Sequence, residues 1–217
     1  MHQEIIAIII FAMVLITIMS ERLHRTAAAL TGTVLLLLTG ILDVNKAVSY
    51  VDFNTIGVLV GMMIFVAVIK HSGLFEYISI KAAKMAKGDP WKIMVAFMLI
   101  TAICSAFLDN VTTVLLMGPM TITIAKMMKI DPIPILLGQI VASNIGGTMT
   151  MIGDPPNIMI GSAADFAFID FIRNTGLACV FGLIVVITGM KFVYKKKLVA
   201  DEKAIADIMK LDENKAI

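Results

Sequence analysis

Two short polar stretches interrupt an otherwise apolar chain. One is Asp109-Asn110-Val111-Thr112-Thr113; the other, SNIGGTMTMIGDPPN, occupies residues 143–157. The second gathers three glycines, two adjacent prolines, two asparagines, two threonines and a carboxylate. Asparagine side chains and threonine hydroxyls are neutral oxygen ligands, and unwound glycine backbone exposes carbonyls, a set suited to a hard cation such as Na⁺. Helices that start after such breaks point their positive ends at the same place, which suits an anion. Asp109 and Asp154 are the carboxylates predicted deepest in apolar sequence, where charge is costly and usually functional. Either could balance a cation, or carry a proton because desolvation favours the neutral acid. Each also has a plainer role: Asp109 as the N-cap of the next helix, Asp154 as a turn starter before Pro155. The candidate binding residues are Asp109, Asn110, Thr112 and Thr113 in the first stretch, with Asn144, Gly146, Gly147, Thr148, Asp154 and Asn157 in the second. Thr101 and Ser105, one turn apart, either bond back to their own helix or line the site.

These stretches need elements to hold them. The 217 residues are 59% hydrophobic and only 16% charged, with a mean hydropathy of +0.94. A soluble domain carries about 25% charged residues. Several runs long enough to span hydrocarbon are almost free of charge, so the chain reads as an all-α polytopic membrane protein. The runs do not alternate, which excludes a β-barrel. Spans are predicted over residues 4–19, 27–42 and 55–69. The first lacks a basic leader and cleavage site, so it is expected to be a retained span. Residues 70–92 differ in character: Lys81, Lys84 and Lys87 share one helix face, while Leu74, Ile78, Ala82 and Met85 line another. That pattern predicts an amphipathic helix in the membrane interface, or a solvated connecting helix. Residues 91–108 and 114–128 flank the first polar stretch, 133–145 and 158–168 flank the second, and 171–193 form the last span. The tail, 201–217, is charged with mixed sign and expected outside the bilayer. Cys104 and Cys179 lie in apolar runs and read as small buried hydrophobes, and the seventeen methionines as adaptable packing. His2, His24 and His71 fall in loops or at the terminus and carry no predicted chemistry.

Charge placement orients the spans. The Arg22/Arg25 loop, the 70–92 segment and the cluster from Lys191 to Lys197 all fall in the cytoplasm if the N-terminus is outside. Lys126 and Lys129 then also lie inside, so 91–128 enters and returns. Two full spans over residues 132–169 would turn the C-terminal lysines outward. One continuous helix there would be about 57 Å long, against a hydrocarbon core of about 30 Å. A single span broken at the glycines and prolines satisfies both constraints. Such a break cannot face lipid, since its freed backbone groups need protein or a watery cavity. For 91–128, a short second arm carrying Gly118-Pro119 favours a re-entrant hairpin over two crossings, with its polar tip near the midplane.

With both motifs in this order, SAFLDNVTTVLLMGP over 105–119 and ASNIGGTMTMIGDPPN over 142–157, the chain resembles the ion transporter superfamily. That superfamily includes arsenite permeases, certain sodium–proton antiporters, citrate and dicarboxylate carriers and, most similar here, the pink-eyed dilution P protein. The resemblance runs from the first span to the charged tail, but only over an N-terminal half. It implies one half of an inverted-repeat transporter, with the second repeat missing from this sequence. It implies a Na⁺ site where hairpin tip and helix break meet, with Asn110 and Thr112 as tip ligands and Gly146, Gly147 and Asn157 in the break. It further implies a secondary active transporter, not an enzyme, without cofactor and coupled to Na⁺ or H⁺. Such a protein moves an arsenite-, citrate- or dicarboxylate-class anion or exchanges Na⁺ for H⁺, as a homodimer in the plasma or inner membrane with no nucleic-acid partner. The dicarboxylate carriers have a Ser-Asn-Thr tip; the carboxylate of Asp109 here favours a cation- or proton-linked role, and the arsenite branch differs at the tip too. The division that follows is 1–69 for scaffold spans, 70–92 for the interfacial helix, 93–198 for the transport part and 199–217 for a cytoplasmic tail or linker. Two alternatives stand beside this: a half-transporter subunit or fragment that needs a separate second half, and an intramembrane aspartyl hydrolase using Asp109 and Asp154 as a dyad. Met151-Ile152-Gly153-Asp154 departs from the Gly-x-Gly-Asp that such hydrolases present.

Overall fold

Runs of Ile, Leu, Val and Ala, punctuated by single glycines and prolines, fold as helices in the computed structural model, which describes residues 2–196, 198–200 and 202–209; no strand forms among them. The chain divides into two compact units, Met1–Phe53 and Asn54–Ile217.

In the first unit, α1 (His2–Met19) packs on α2 (Arg25–Leu38), and a short α3 (Val44–Ser49) follows, capped by Asp43, which accepts the Asn45 N–H at 3.3 Å. Gly32 meets Val14 so closely that a Cβ there would collide with it, and Ala28 and Ile10 are buried beside this contact. Small residues let helix backbones approach where no hydrophobic force drives them together. The other faces expose Ile8, Phe11 and Ile16, as a lipid-covered helix does.

The second unit holds α4 (Phe53–Lys70), α5 (Leu74–Met85), α6 (Pro90–Ser105), α7 (Asn110–Met127), α8 (Ile133–Thr148), α9 (Pro155–Ala164), α10 (Phe168–Tyr194) and α11 (Glu202–Met209). α4 and α10 are long and apolar enough to cross a membrane, and only 11% of each such window is buried inside the protein. The core lies among α6, α7 and α8, where Phe97, Met94, Met98, Met117 and Met128 are fully buried. α5 packs on α6 and α7, and α10 packs on α8. Asp89 starts α6 by accepting the N–H groups of Trp91 (2.9 Å) and Lys92 (3.2 Å), with Pro90 in the first turn.

Several boundaries differ from the sequence expectation. α7 runs unbroken through Pro119: the proline forfeits one backbone bond, while buried Leu116, Met117 and Gly118 hold the helix against its neighbours. α8 continues to Thr148, so Gly146 and Gly147 are helical and the non-helical break is 149–154. α5 buries Phe75, Ser79, Ile80, Ala82 and Ala83, whereas Leu74 and Met85 are exposed. Residues 202–209 of the tail are helical. α11 docks on α5 and α7, with Ala204 and Ile208 buried and Ile205 seated over Gly88, whose φ of +69° puts it in the left-handed region. Lys197, Asp201 and the end of the tail, 210–217, lie outside the described residues.

Candidate functional site

The turn between α6 and α7 and the break between α8 and α9 form one assembly. Ser105, at the end of α6, donates its hydroxyl to the Ser143 carbonyl of α8 at 2.7 Å. Thr150, in the break, donates to the Ala106 carbonyl and accepts the Gly153 N–H at 3.2 Å. Asn157, in the first turn of α9, donates back to the carbonyls of Gly147 (3.2 Å) and Thr150 (2.9 Å). Thr175 of α10 donates to the Thr148 carbonyl at 3.0 Å, which ties the end of α8 to a third helix. Protein groups thus satisfy the Gly153 N–H and the Gly147, Thr148 and Thr150 carbonyls around the break, as the hydrocarbon environment demands.

The glycines make this closeness possible. A Cβ on Gly146 would collide with the backbone of Ala102 on α6. One on Gly147 would stand 2.8 Å from the carboxyl carbon and both oxygens of Asp154, and one on Gly153 2.8 Å from the Ser105 carbonyl. Gly146 and Gly147 therefore serve close approach within a helix, not unwinding. The Gly147 carbonyl, an expected ligand, already accepts from Asn157 and keeps its second lone pair.

At the turn, Asp109 is the N-cap of α7: its Oδ1 accepts the Thr112 N–H at 2.8 Å. Asn110 donates to the Asn144 amide oxygen at 2.6 Å, while its own oxygen accepts the Val111 N–H at 2.8 Å. Thr112 is half-buried; Asn144 and Thr148 are exposed, with Thr148 bonded back to the Asn144 carbonyl at 2.9 Å. Thr113 is completely buried, and its hydroxyl has no hydrogen-bond partner. A buried hydroxyl left unpaired costs about 1–3 kcal/mol, and such groups in native proteins mark sites that need explaining. Asp109 and Asp154 are both half-buried and repel one another. Neither forms an ion pair among the described residues.

Electrostatics separates cation from anion here. An anion would need free amide hydrogens at the helix starts. At α9 the first two residues, Pro155 and Pro156, have none, and the Asn157 N–H is bonded to the Asp154 carbonyl at 3.0 Å. At α7 the N–H groups of Val111, Thr112 and Thr113 are all taken. What remains available is oxygen and negative charge, from Asp109, Asp154, the Asn110 amide and the Thr113 hydroxyl. Oxygen ligands of this kind suit a hard cation. No cluster of three or more His, Cys, Asp or Glu side chains that could hold a metal occurs among the described residues. A cleft of about 260 Å³ opens beside the Asn110–Asn144 pair, walled by Val111, Val114, Leu115 and Ile140. That is below the 300–1,000 Å³ of a drug-sized site.

Gln139 and Thr175 lie outside both motifs, and Ser143 and Thr150 lie inside the second but were not among the candidate binding residues. Gln139 was detectable as a lone amide inside an apolar run, one turn from Ser143.

Comparison with known proteins sets the function class. Residues 4–211 match the family described as citrate transporter. The chain belongs to that family. The "46 kDa membrane protein" of Mycobacterium leprae is 38% identical over 220 residues, covering 99% of this chain and 51% of the relative. An uncharacterized transporter of Mycobacterium tuberculosis matches with the same identity and coverage. The P protein of Homo sapiens is 42% identical over 165 residues, 74% of this chain and 20% of that protein. The expected superfamily and its P-protein branch are thereby found. This citrate transporter family chain is a multi-pass membrane protein of a transporter class rather than an enzyme, so the aspartyl hydrolase reading is set aside. The chain spans about half the length of the mycobacterial relatives it matches.

Proposed function

We propose that this chain forms one half of a secondary active transporter in which the α6–α7 turn and the 149–154 break bind the coupling cation, Na⁺ or H⁺. The observation that carries this is the juxtaposition of Asp109 and Asp154, two half-buried acids without ion pairs, beside helix starts where the N–H groups of Val111, Thr112, Thr113 and Asn157 are already committed. Asn110, Thr112, Thr113 and the Gly147 carbonyl supply neutral oxygen donors around them. Asn144, Thr148, Gly146 and Asn157 shape the site. In this reading α6 and α7 enter and return as a re-entrant hairpin, α8 and α9 make a single broken span, and a second, inverted repeat completes the pocket. The solute is then an arsenite-, citrate- or dicarboxylate-class anion held largely by that second repeat, or the protein exchanges Na⁺ for H⁺. The N-terminus lies outside, the C-terminus and the lysines of 70–92 in the cytoplasm, and two copies form a dimer in the plasma or inner membrane.

The committed amides of this half favour cation exchange or a cation-linked step over direct anion binding here. A half-transporter that must pair with a separate second half is the alternative supported by coverage of about half of its relatives. Reconstitution into liposomes, alone and with a second half taken from a full-length relative, tests both. Uptake of citrate, succinate, arsenite or Na⁺ is measured with and without a Na⁺ or pH gradient. Gradient-stimulated flux supports the proposal; flux indifferent to either gradient in every combination refutes it.

A further inference from the structure

Inside the three-helix core lies a polar layer that the cation site does not use. Gln139 of α8 is fully buried. Its amide oxygen accepts the Thr121 hydroxyl of α7 at 2.8 Å, and its amide nitrogen donates to the Thr101 hydroxyl of α6 at 3.2 Å. Both threonines are also fully buried. A chain of hydroxyls could suggest a proton path, yet away from the turn the layer is sealed by Phe97, Met94, Met98, Ile124 and Met128, at most 1% exposed.

We infer that Gln139 is a positioning residue: it fixes the register of α8 against both arms of the α6–α7 pair, and so sets the break at 149–154 against the turn at Asp109. The inference rests on the cation-site reading. The packing around Gln139 is methionine-rich, with Met94 and Met98 lying on Gly138, where a Cβ would stand 2.9 Å from the Met98 sulfur. Methionine adapts its shape and specifies register poorly, and a slip of one helical turn displaces a helix by about 5.4 Å. A buried amide that needs a donor on one helix and an acceptor on another accepts only one register, as a single buried polar residue does in a coiled coil. The turn and break contacts, Ser105 to Ser143 and Asn110 to Asn144, lie one turn and slightly more beyond it along α8.

The test measures geometry without requiring transport. In the full chain in membrane vesicles, with Cys104 and Cys179 replaced by alanine, Asn110→Cys and Asn144→Cys are joined by a short bifunctional thiol reagent. Gln139→Met keeps length and helix propensity but takes the amide from Thr101 and leaves the Thr121 hydroxyl with only the Met117 carbonyl of its own helix, at 3.0 Å. Adding Thr101→Val and Thr121→Val removes every polar group of the layer, a replacement expected to restore stability because no unpaired partner remains. The expected result is a crosslinking rate that falls about fivefold or more in Gln139→Met and stays low in the triple variant, even when its thermal stability equals the parent's. Thr121→Val alone, the mildest change, lowers the rate by less. Parental crosslinking in the triple variant and in Thr121→Val overturns the inference. If crosslinking falls as expected while the parent chain, alone and paired with a second half, shows no ion-dependent uptake, the cation reading fails and the positioning role stands.

Discussion

Asp109 is a helix cap and, in the proposed function, also a member of the cation site, and two substitutions separate these roles. Asparagine caps as well as aspartate, so Asp109→Asn retains the bond to the Thr112 N–H and should unfold within about 0.5 kcal/mol of the parent. Asp109→Ala loses the cap and about 1 kcal/mol. Thermal unfolding in detergent distinguishes the pair, and both should lose coupled transport. The glycines show where residue-level reading of the sequence falls short. Gly146 and Gly147 were expected to unwind the helix, because glycine in apolar sequence signals either a break or a close approach. The structure shows close approach, against Ala102 and Asp154. Gly146→Ala should therefore cost about 1–3 kcal/mol through overpacking against backbone, seen as a lower unfolding midpoint and reduced monodisperse yield. A substitution at an unwinding position would leave packing intact.

At the scale of elements, the break and the turn were legible because each concentrates residues that a lipid-facing helix excludes. Their edges were less so: α7 starts at Asn110 and α9 at Pro155, before the expected 114 and 158, though Asp109 does cap α7 as one of its two readings allowed. The bonds that join them were not legible. Thr150 and Gln139 are single polar residues whose partners, Ala106 and Thr121, are far away in sequence, and nothing in local spacing pairs them. The 149–154 segment depends on Thr150 for its hold on α6. Thr150→Val leaves the Ala106 carbonyl and the Gly153 N–H without their buried partner, at about 1–3 kcal/mol for each group left unsatisfied. Amide hydrogen exchange should rise in 149–154 while protection in α6 and α8 is unchanged. The docking of α11 was hidden for a related reason: mixed charge reads as solvated, yet one face of the same helix buries Ala204 and Ile208, four residues apart.

At the scale of the whole molecule, the chain supplies a turn and a break that already fit each other, from a family whose matched mycobacterial members are about twice as long. The turn–break assembly is closed by its own hydrogen bonds, but its acids are not neutralised and its cleft is small. Under the proposed function, uncompensated acids beside a small cleft fit a cation, and a larger solute is left to the second half. The most direct measurement compares gradient-driven flux through proteoliposomes containing the wild-type chain, paired with a second half, and the same assembly carrying Asp154→Asn. Asparagine keeps the size and the backbone bond from the Asp154 carbonyl to Asn157 while removing the charge. Flux stimulated by an inward Na⁺ or H⁺ gradient is expected in the wild type, and loss of that stimulation in Asp154→Asn with folding intact. Equal gradient stimulation in the two proteins would contradict it.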